Sequence, residues 1–235
     1  MSRLYNYLNE RKGDYGRGLT VVDIDSTVFS TFAKIHVVNK ETGEIIRKLN
    51  NQEFNSYELK KGEEFDFKEF ADAELFRKTS KPITPTIERL KRMISMLKKN
   101  DRGSKIIFLT ARSDFDNKQE FLQTFREYGI DVDFKSNVYI ERTGNLKTGT
   151  VPEKKERVIL DYLKKDEYRR IRMIDDHKKN VQQFLNLAKK VPSDIIEDVR
   201  QEYNIPEGEP VMEFFGLLID PKSGKLSLVD KKELY

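Results

Sequence analysis

Two aspartates, Asp23 and Asp25, stand one residue apart at the end of an apolar stretch made by Leu19, Val21, Val22 and Ile24. Along a strand, residues i and i+2 point to the same side, so both carboxylates can face one point in space. Carboxylates held that close repel unless something positive lies beside them, commonly a divalent cation. The competing reading is a solvated loop, because the chain carries 40 Asp and Glu residues. Two further apolar runs end in groups of a similar kind. Lys105 to Leu109 leads into Thr110-Ala111-Arg112, and Ile171 to Ile174 leads into Asp175-Asp176. If these runs are parallel strands, their C-terminal ends share one edge, where open α/β folds place their sites. The acids together would suit Mg²⁺, which takes a few carboxylates, a carbonyl and waters. Thr110 would offer a hydroxyl to an anion; by itself it also reads as a helix N-cap.

The lysines separate into two groups. Pairs at 98–99, 164–165 and 189–190 fall at the C-terminal ends of expected helices, where the dipole favours cations. Lys154 and Lys155 fall at a helix start, as do Lys178 and Lys179. Cations are disfavoured there, which points to an anion nearby. The sequence does not decide between Lys154 and Lys155.

The elements that must position these groups follow from periodicity. Helices are expected over 86–99 (Ile87, Leu90, Ile94 and Leu97 on one face), 116–128, 153–164, 178–190 and 193–203, with a short one over 2–11. Residues 137–141 read as another strand, and the chain closes in a hairpin turning at 220–224. Strands alternating with helices imply an α/β domain with a parallel sheet sandwiched by helices. The stretch 30–84 is too long for an ordinary strand-to-helix connection. It reads as a small α+β insertion: a hairpin of 34–38 and 45–49, then a helix near 65–78 carrying Phe67, Phe70, Ala71 and Leu75. Residues 1–29 and 85–235 would form the core domain.

Composition narrows the classes. With no cysteine, disulfides, thiolate metal sites and cysteine nucleophiles are excluded. The formal net charge of +4 permits nucleic acid as a partner without arguing for it. His36 and His177 are the only histidines, too few and too far apart for a zinc site. No stretch approaches the roughly 20 apolar residues of a membrane span. Residues 1–18 lack the apolar run of a signal peptide, so a cytoplasmic protein with no membrane association is expected.

Taken in order, the groups resemble the haloacid dehalogenase (HAD) superfamily of phosphotransferases. Its first motif matches Asp23-Ile24-Asp25-Ser26-Thr27, its second Thr110, its third Lys154 or Lys155, and its fourth Asp175-Asp176 with Asn180 downstream. The resemblance spans roughly 19–190 and implies a Rossmann-like fold with the insertion as a cap. It implies a Mg²⁺-dependent phosphatase in which Asp23 attacks phosphorus to form an aspartyl-phosphate. Asp25 would then protonate the leaving group and activate water. Free Asp has a pKa of about 3.9, so the acid role requires Asp25 to be raised by its site. The metal would be held by Asp23, Asp25 through its carbonyl, and Asp175 or Asp176. Thr110 and the lysine would hold phosphoryl oxygens, with Thr27 and Arg112 on the substrate side.

The segment Thr110-Ala111-Arg112 is similar to the second motif of polynucleotide kinase–phosphatase phosphatase modules, with Ala111 in place of the usual glycine. That similarity implies a nucleotide, or the 3′-phosphate end of a nucleic acid, as substrate. No P-loop pattern accompanies it. Tyr57 and Phe65 of the insertion either stack on a base or form the insertion's own core. The alternative function is a nucleic-acid-binding or accessory module that keeps the fold without turnover.

Overall fold

The computed structural model describes residues 16–54, 56–100 and 102–235. The helix expected over 2–11 lies outside them. The first strand, β1 (Arg17–Val22), is followed by a short β2 (Phe29–Ser30) and then by β3 (Ile35–Asn39) and β4 (Ile45–Leu49). Next come helix α1 (Asn51–Phe54), β5 (Glu63–Asp66), α2 (Lys68–Ala71), α3 (Ala73–Thr79) and the short β6 (Lys81–Pro82). The chain continues with α4 (Thr84–Asn100), β7 (Lys105–Thr110), α5 (Lys118–Glu127) and β8 (Val138–Arg142). It ends with α6 (Val151–Leu163), β9 (Tyr168–Asp175), α7 (Lys178–Leu187), α8 (Ser193–Glu202), β10 (Met212–Ile219) and β11 (Leu226–Leu234).

The principal sheet has the order β11-β10-β9-β1-β7-β8. All its pairings are parallel except β10 with β11, giving an α/β domain with a mixed, mostly parallel sheet. β1 is central and buried on both faces, which explains its unbroken apolar character. Alternation sends Leu19 and Val21 into a core shared with α6, α7 and α8, and Val22 and Ile24 into one shared with α4 and α5. After β1 the chain builds β7 and β8 on one side, then crosses to β9 on the other. A topological switch point therefore lies at the C-terminal end of β1.

The expected C-terminal hairpin is present, but it is no appendage. β10 runs parallel to β9 as a fifth parallel strand, because Phe214 packs on one face while Leu217 and Ile219 pack on the other. Gly216 permits this approach: a Cβ there would lie 2.7 Å from side-chain atoms of Val181 and Leu185 on α7.

Part of the insertion is its own small unit. β4, β3 and β5 form an antiparallel sheet, with Ile35, Val37 and Leu49 buried beneath Phe54, Tyr57, Phe65 and Phe70. Tyr57 and Phe65 thus belong to the insertion's core, with ring centroids 6.2 Å apart. The single helix expected near 65–78 is corrected to a strand and two short helices. Phe65 pairs with Val37 in the small sheet, and Asp72 caps α3 by accepting the Leu75 N–H at 2.7 Å. α3 packs on the principal domain, where Phe76 meets Phe29 and Phe121 at 5.7 and 5.1 Å. The antiparallel pair β2–β6 closes the insertion's neck, with Phe29 opposite Pro82.

Candidate active site

β1, β7 and β9 are neighbours, so their C-terminal ends bring Asp23, Asp25, Thr110, Asp175 and Asp176 to one edge. Asp23 continues the ladder beyond β1, its N–H donating to the Ile174 carbonyl at 2.9 Å. Ser26 adopts a φ of 61°, and this left-handed residue turns the chain back sharply after Asp25.

Of the two candidate lysines, Lys155 enters the site and Lys154 does not. Thr150 and Glu153 form a capping box that starts α6 at Val151, with Pro152 in its first turn. Lys155 therefore sits one turn in, and helical side chains lean back toward the N-terminus, here toward the strand ends. Its side chain is 4% exposed, and Nζ donates to Asp23 Oδ1 at 2.5 Å and to Asp175 Oδ2 at 3.0 Å. Burial opposes its charge, but Asp175 and Asp23 outweigh that and hold the ammonium well above the ordinary lysine range.

The aspartates occupy different environments. Asp23 is pushed well up by burial; Lys155 opposes this, while Asp175, Asp176 and Asp25 add to it. Asp25 behaves contrary to expectation. Burial alone would raise it, yet the Arg112 guanidinium, helped by a 2.7 Å bond from Thr31 Oγ1, holds its carboxyl below the usual range. Asp176 is pushed up to about 6 by burial and then by Asp175. Asp175, fully buried, accepts from Lys155, from the His177 N–H at 2.8 Å, and from Asn180 Nδ2 at 3.0 and 3.1 Å.

A carboxylate offers about four lone-pair sites, and those of Asp175 are filled. It anchors Lys155 here. Asp176 keeps an open carboxylate, bonded among the described residues by Thr27 Oγ1 at 3.4 Å. Thr27 in turn accepts the Asp176 N–H at 3.1 Å and is fully buried, so it orders this loop.

Thr110 is buried, with its hydroxyl 3.4 Å from Asp25 Oδ2 and accepting the Arg112 N–H at 3.2 Å. It caps no helix: α5 begins eight residues on, capped by Asn117. Arg112, expected on the substrate side, is engaged by Asp25. Its side chain is 1% exposed, and Nε and Nη2 donate to Asp25 at 3.0 and 2.6 Å. His177 is exposed, and it touches the site through that backbone N–H.

Four carboxyl groups thus face two buried cations, and a divalent cation would favour the charged forms of the acids that burial pushes up. The donor chemistry, all oxygen, is of the kind Mg²⁺ takes, and Asp23, Asp176 and the Asp25 carbonyl would be the groups available to hold it. Among the described residues no group of three or more His, Asp or Glu side chains is already gathered to grip a metal. Mg²⁺ binding here would use main-chain oxygen and water alongside two carboxylates.

Three further residues contribute, of which Thr31 and Gly144 had no sequence signal of their own. Thr31 reaches Asp25 from the insertion's edge. Asn180 orients Asp175. Gly144 lets the segment after β8 press on the Thr110–Arg112 loop, where a Cβ would lie 2.4 Å from the Ser113 nitrogen. Its N–H donates to the Arg112 carbonyl at 3.1 Å. Among the described residues no helix is long and apolar enough to cross a membrane. Comparison with protein-family models, with curated proteins and with solved structures gives no match.

Proposed function

We propose that the chain is a Mg²⁺-dependent phosphomonoester hydrolase of haloacid dehalogenase type. The observation that carries the reading is Lys155 bridging Asp23 and Asp175 within a surplus of acids at a topological switch point. A purely structural cluster would balance its charges.

Asp23 is the nucleophile. One carboxylate oxygen attacks phosphorus as the P–O bond to the leaving alkoxide breaks, giving an aspartyl-phosphate. Water then attacks phosphorus, the acyl-phosphate P–O bond breaks, and Asp23 and inorganic phosphate are released. Lys155 and the Thr110 hydroxyl stabilise charge on phosphoryl oxygens. The departing alkoxide takes its proton from solvent, and Asp25, held as a carboxylate, accepts the proton of the attacking water and releases it to solvent. Bound Mg²⁺ would neutralise the repulsion between the Asp23 carboxylate and the phosphoryl group. The narrower substrate, a nucleotide or a 3′-phosphorylated nucleic acid end, rests on the motif around Thr110 alone.

One observation favours the second reading, a binding module without turnover. Arg112 grips Asp25 and opposes the proton it would need as a general acid. A panel of p-nitrophenyl phosphate, nucleotides and 3′- or 5′-phosphorylated oligonucleotides, with Mg²⁺ or EDTA, separates the two. Phosphate release that needs Mg²⁺ and disappears in Asp23→Asn supports the enzyme. Release persisting in Asp23→Asn removes Asp23 as nucleophile, and binding without release from any substrate supports the module.

A further inference from the structure

We infer that Arg112 is a positioning residue that fixes the Asp25 carboxylate and couples it to the insertion, instead of holding the substrate phosphate. What Asp25 does here rests on the phosphatase reading; what Arg112 does follows from its own contacts. An arginine that binds phosphate presents two N–H groups as a fork. The fork of Arg112 is already engaged: Nε lies 3.2 and 3.0 Å from the two Asp25 oxygens, and Nη2 lies 2.6 Å from Oδ1. The remaining nitrogen, Nη1, donates to the Phe70 carbonyl at 3.0 Å, near the end of α2 in the insertion. The flat faces are covered as well. The guanidinium carbon lies 4.6, 5.0 and 5.6 Å from the ring centroids of Phe70, Phe76 and Phe115.

One planar group therefore touches the reacting acid, the insertion and the principal domain. Thr31, where the chain enters the insertion, bonds the same Asp25 Oδ1 at 2.7 Å. Displacing the insertion pulls on Asp25 through both residues. Seating of the insertion and aim of the carboxylate become a single event, so an insertion settled over its substrate is the state in which Asp25 is aligned. Lysine could not substitute, since a point charge cannot grip two oxygens and a carbonyl in one plane.

The test compares wild type, Arg112→Gln, Arg112→Lys and Phe70→Leu. The readouts are p-nitrophenyl phosphate turnover with Mg²⁺, inhibition by inorganic phosphate, and amide hydrogen exchange over 65–71. Arg112→Gln is expected to lose kcat by roughly 10²–10⁴-fold, the scale of a disabled acid–base group. KM and the phosphate inhibition constant stay within about threefold, as for a group acting only on the transition state. Exchange over 65–71 rises about tenfold or more as the Phe70 anchor is lost. Arg112→Lys regains under about a tenth of the lost kcat, and Phe70→Leu, which keeps the carbonyl, loses less than about tenfold.

A tenfold or greater rise in KM and in the inhibition constant at unchanged kcat would overturn the inference, placing Arg112 on substrate. Equal kcat loss in Phe70→Leu and Arg112→Gln would reduce Arg112 to packing. Should Arg112→Gln fail to fold, Arg112→Lys carries the same comparison. If wild type releases no phosphate, the phosphatase reading falls and exchange alone decides. Unchanged exchange in the Arg112 variants then sinks the coupling, and faster exchange upholds it.

Discussion

Both ends of the principal sheet place charge out of the solvent, and they do so differently. At the N-terminal end, Lys105 pairs with Asp166 at 2.6 Å, Arg17 with Glu167, and the Tyr168 hydroxyl donates to Asp166 at 3.1 Å. Lys105 and Asp166 keep 21% and 26% of their side chains exposed, so water shares the cost. At the C-terminal end, Lys155 and Asp175 keep 4% and 0%, and acids outnumber bases. Balanced, partly wet charges read as a structural clasp. An unbalanced, dry cluster is unstable unless a ligand completes it, which is what a site requires.

The contrast can be broken most directly at Asp23. Asp23→Asn is expected to reduce phosphate release by about 10⁴-fold or more while leaving the melting temperature in EDTA unchanged or higher, since it removes one surplus charge. A marked fall in melting temperature would make Asp23 a structural partner of Lys155. Lys155→Met strands Asp23 and Asp175 and should cost about 3–5 kcal/mol in urea unfolding. A cost near zero would mean the two acids already share a proton.

Acidity supplies the next test. The Asp176 carboxyl is raised to about 6 in the folded protein, against about 3.9 unfolded. The folded state therefore binds this proton more tightly, and the metal-free protein is favoured below the unfolded value. That contribution, up to about 3 kcal/mol, is lost as pH rises from about 4 through about 6. Denaturation midpoints in EDTA should fall across this window in wild type, and the Asp176→Asn curve should be flatter. Parallel curves would remove Asp176 from the cluster. Mg²⁺ at a hundred times its dissociation constant should stabilise by about 2.7 kcal/mol, an effect absent in Asp176→Asn. The smallest change is expected at the other end, where Lys105→Met costs about 1 kcal/mol or less and leaves both Mg²⁺ stabilisation and phosphate release intact.

The apolar runs of β1, β7 and β9 were legible because strands buried on both faces cannot hide their composition. The edge that gathers Asp23, Thr110 and Asp176 followed from strand direction alone. β5 was not legible: Glu63-Glu64-Phe65-Asp66 carries three acids and no apolar alternation, and its Glu63 is buried only because Tyr57 and the Lys60 N–H bind its carboxylate. Lys155 could not be separated from Lys154 without the capping box, since one position of helix phase decides which side chain turns inward. Nor could the state of Asp25 be read from its neighbours. Its controlling partner lies 87 residues away in sequence and is oriented by a carbonyl of the insertion. Local chemistry announces which residues react, whereas their ionisation is set by contacts made only on folding.

The neck has a wider consequence. Because β2 and β6 lie side by side, the insertion leaves the principal domain and returns at one point, with Ser30 opposite Lys81. A different segment between those two residues leaves the path of the remaining strands unchanged provided it refills the core positions of Ala73 and Phe76. A lineage could lengthen, shrink or exchange this module while keeping the chemistry below. Any replacement would still have to provide a carbonyl where Phe70 now offers one, and that requirement is the grammar a graft must obey.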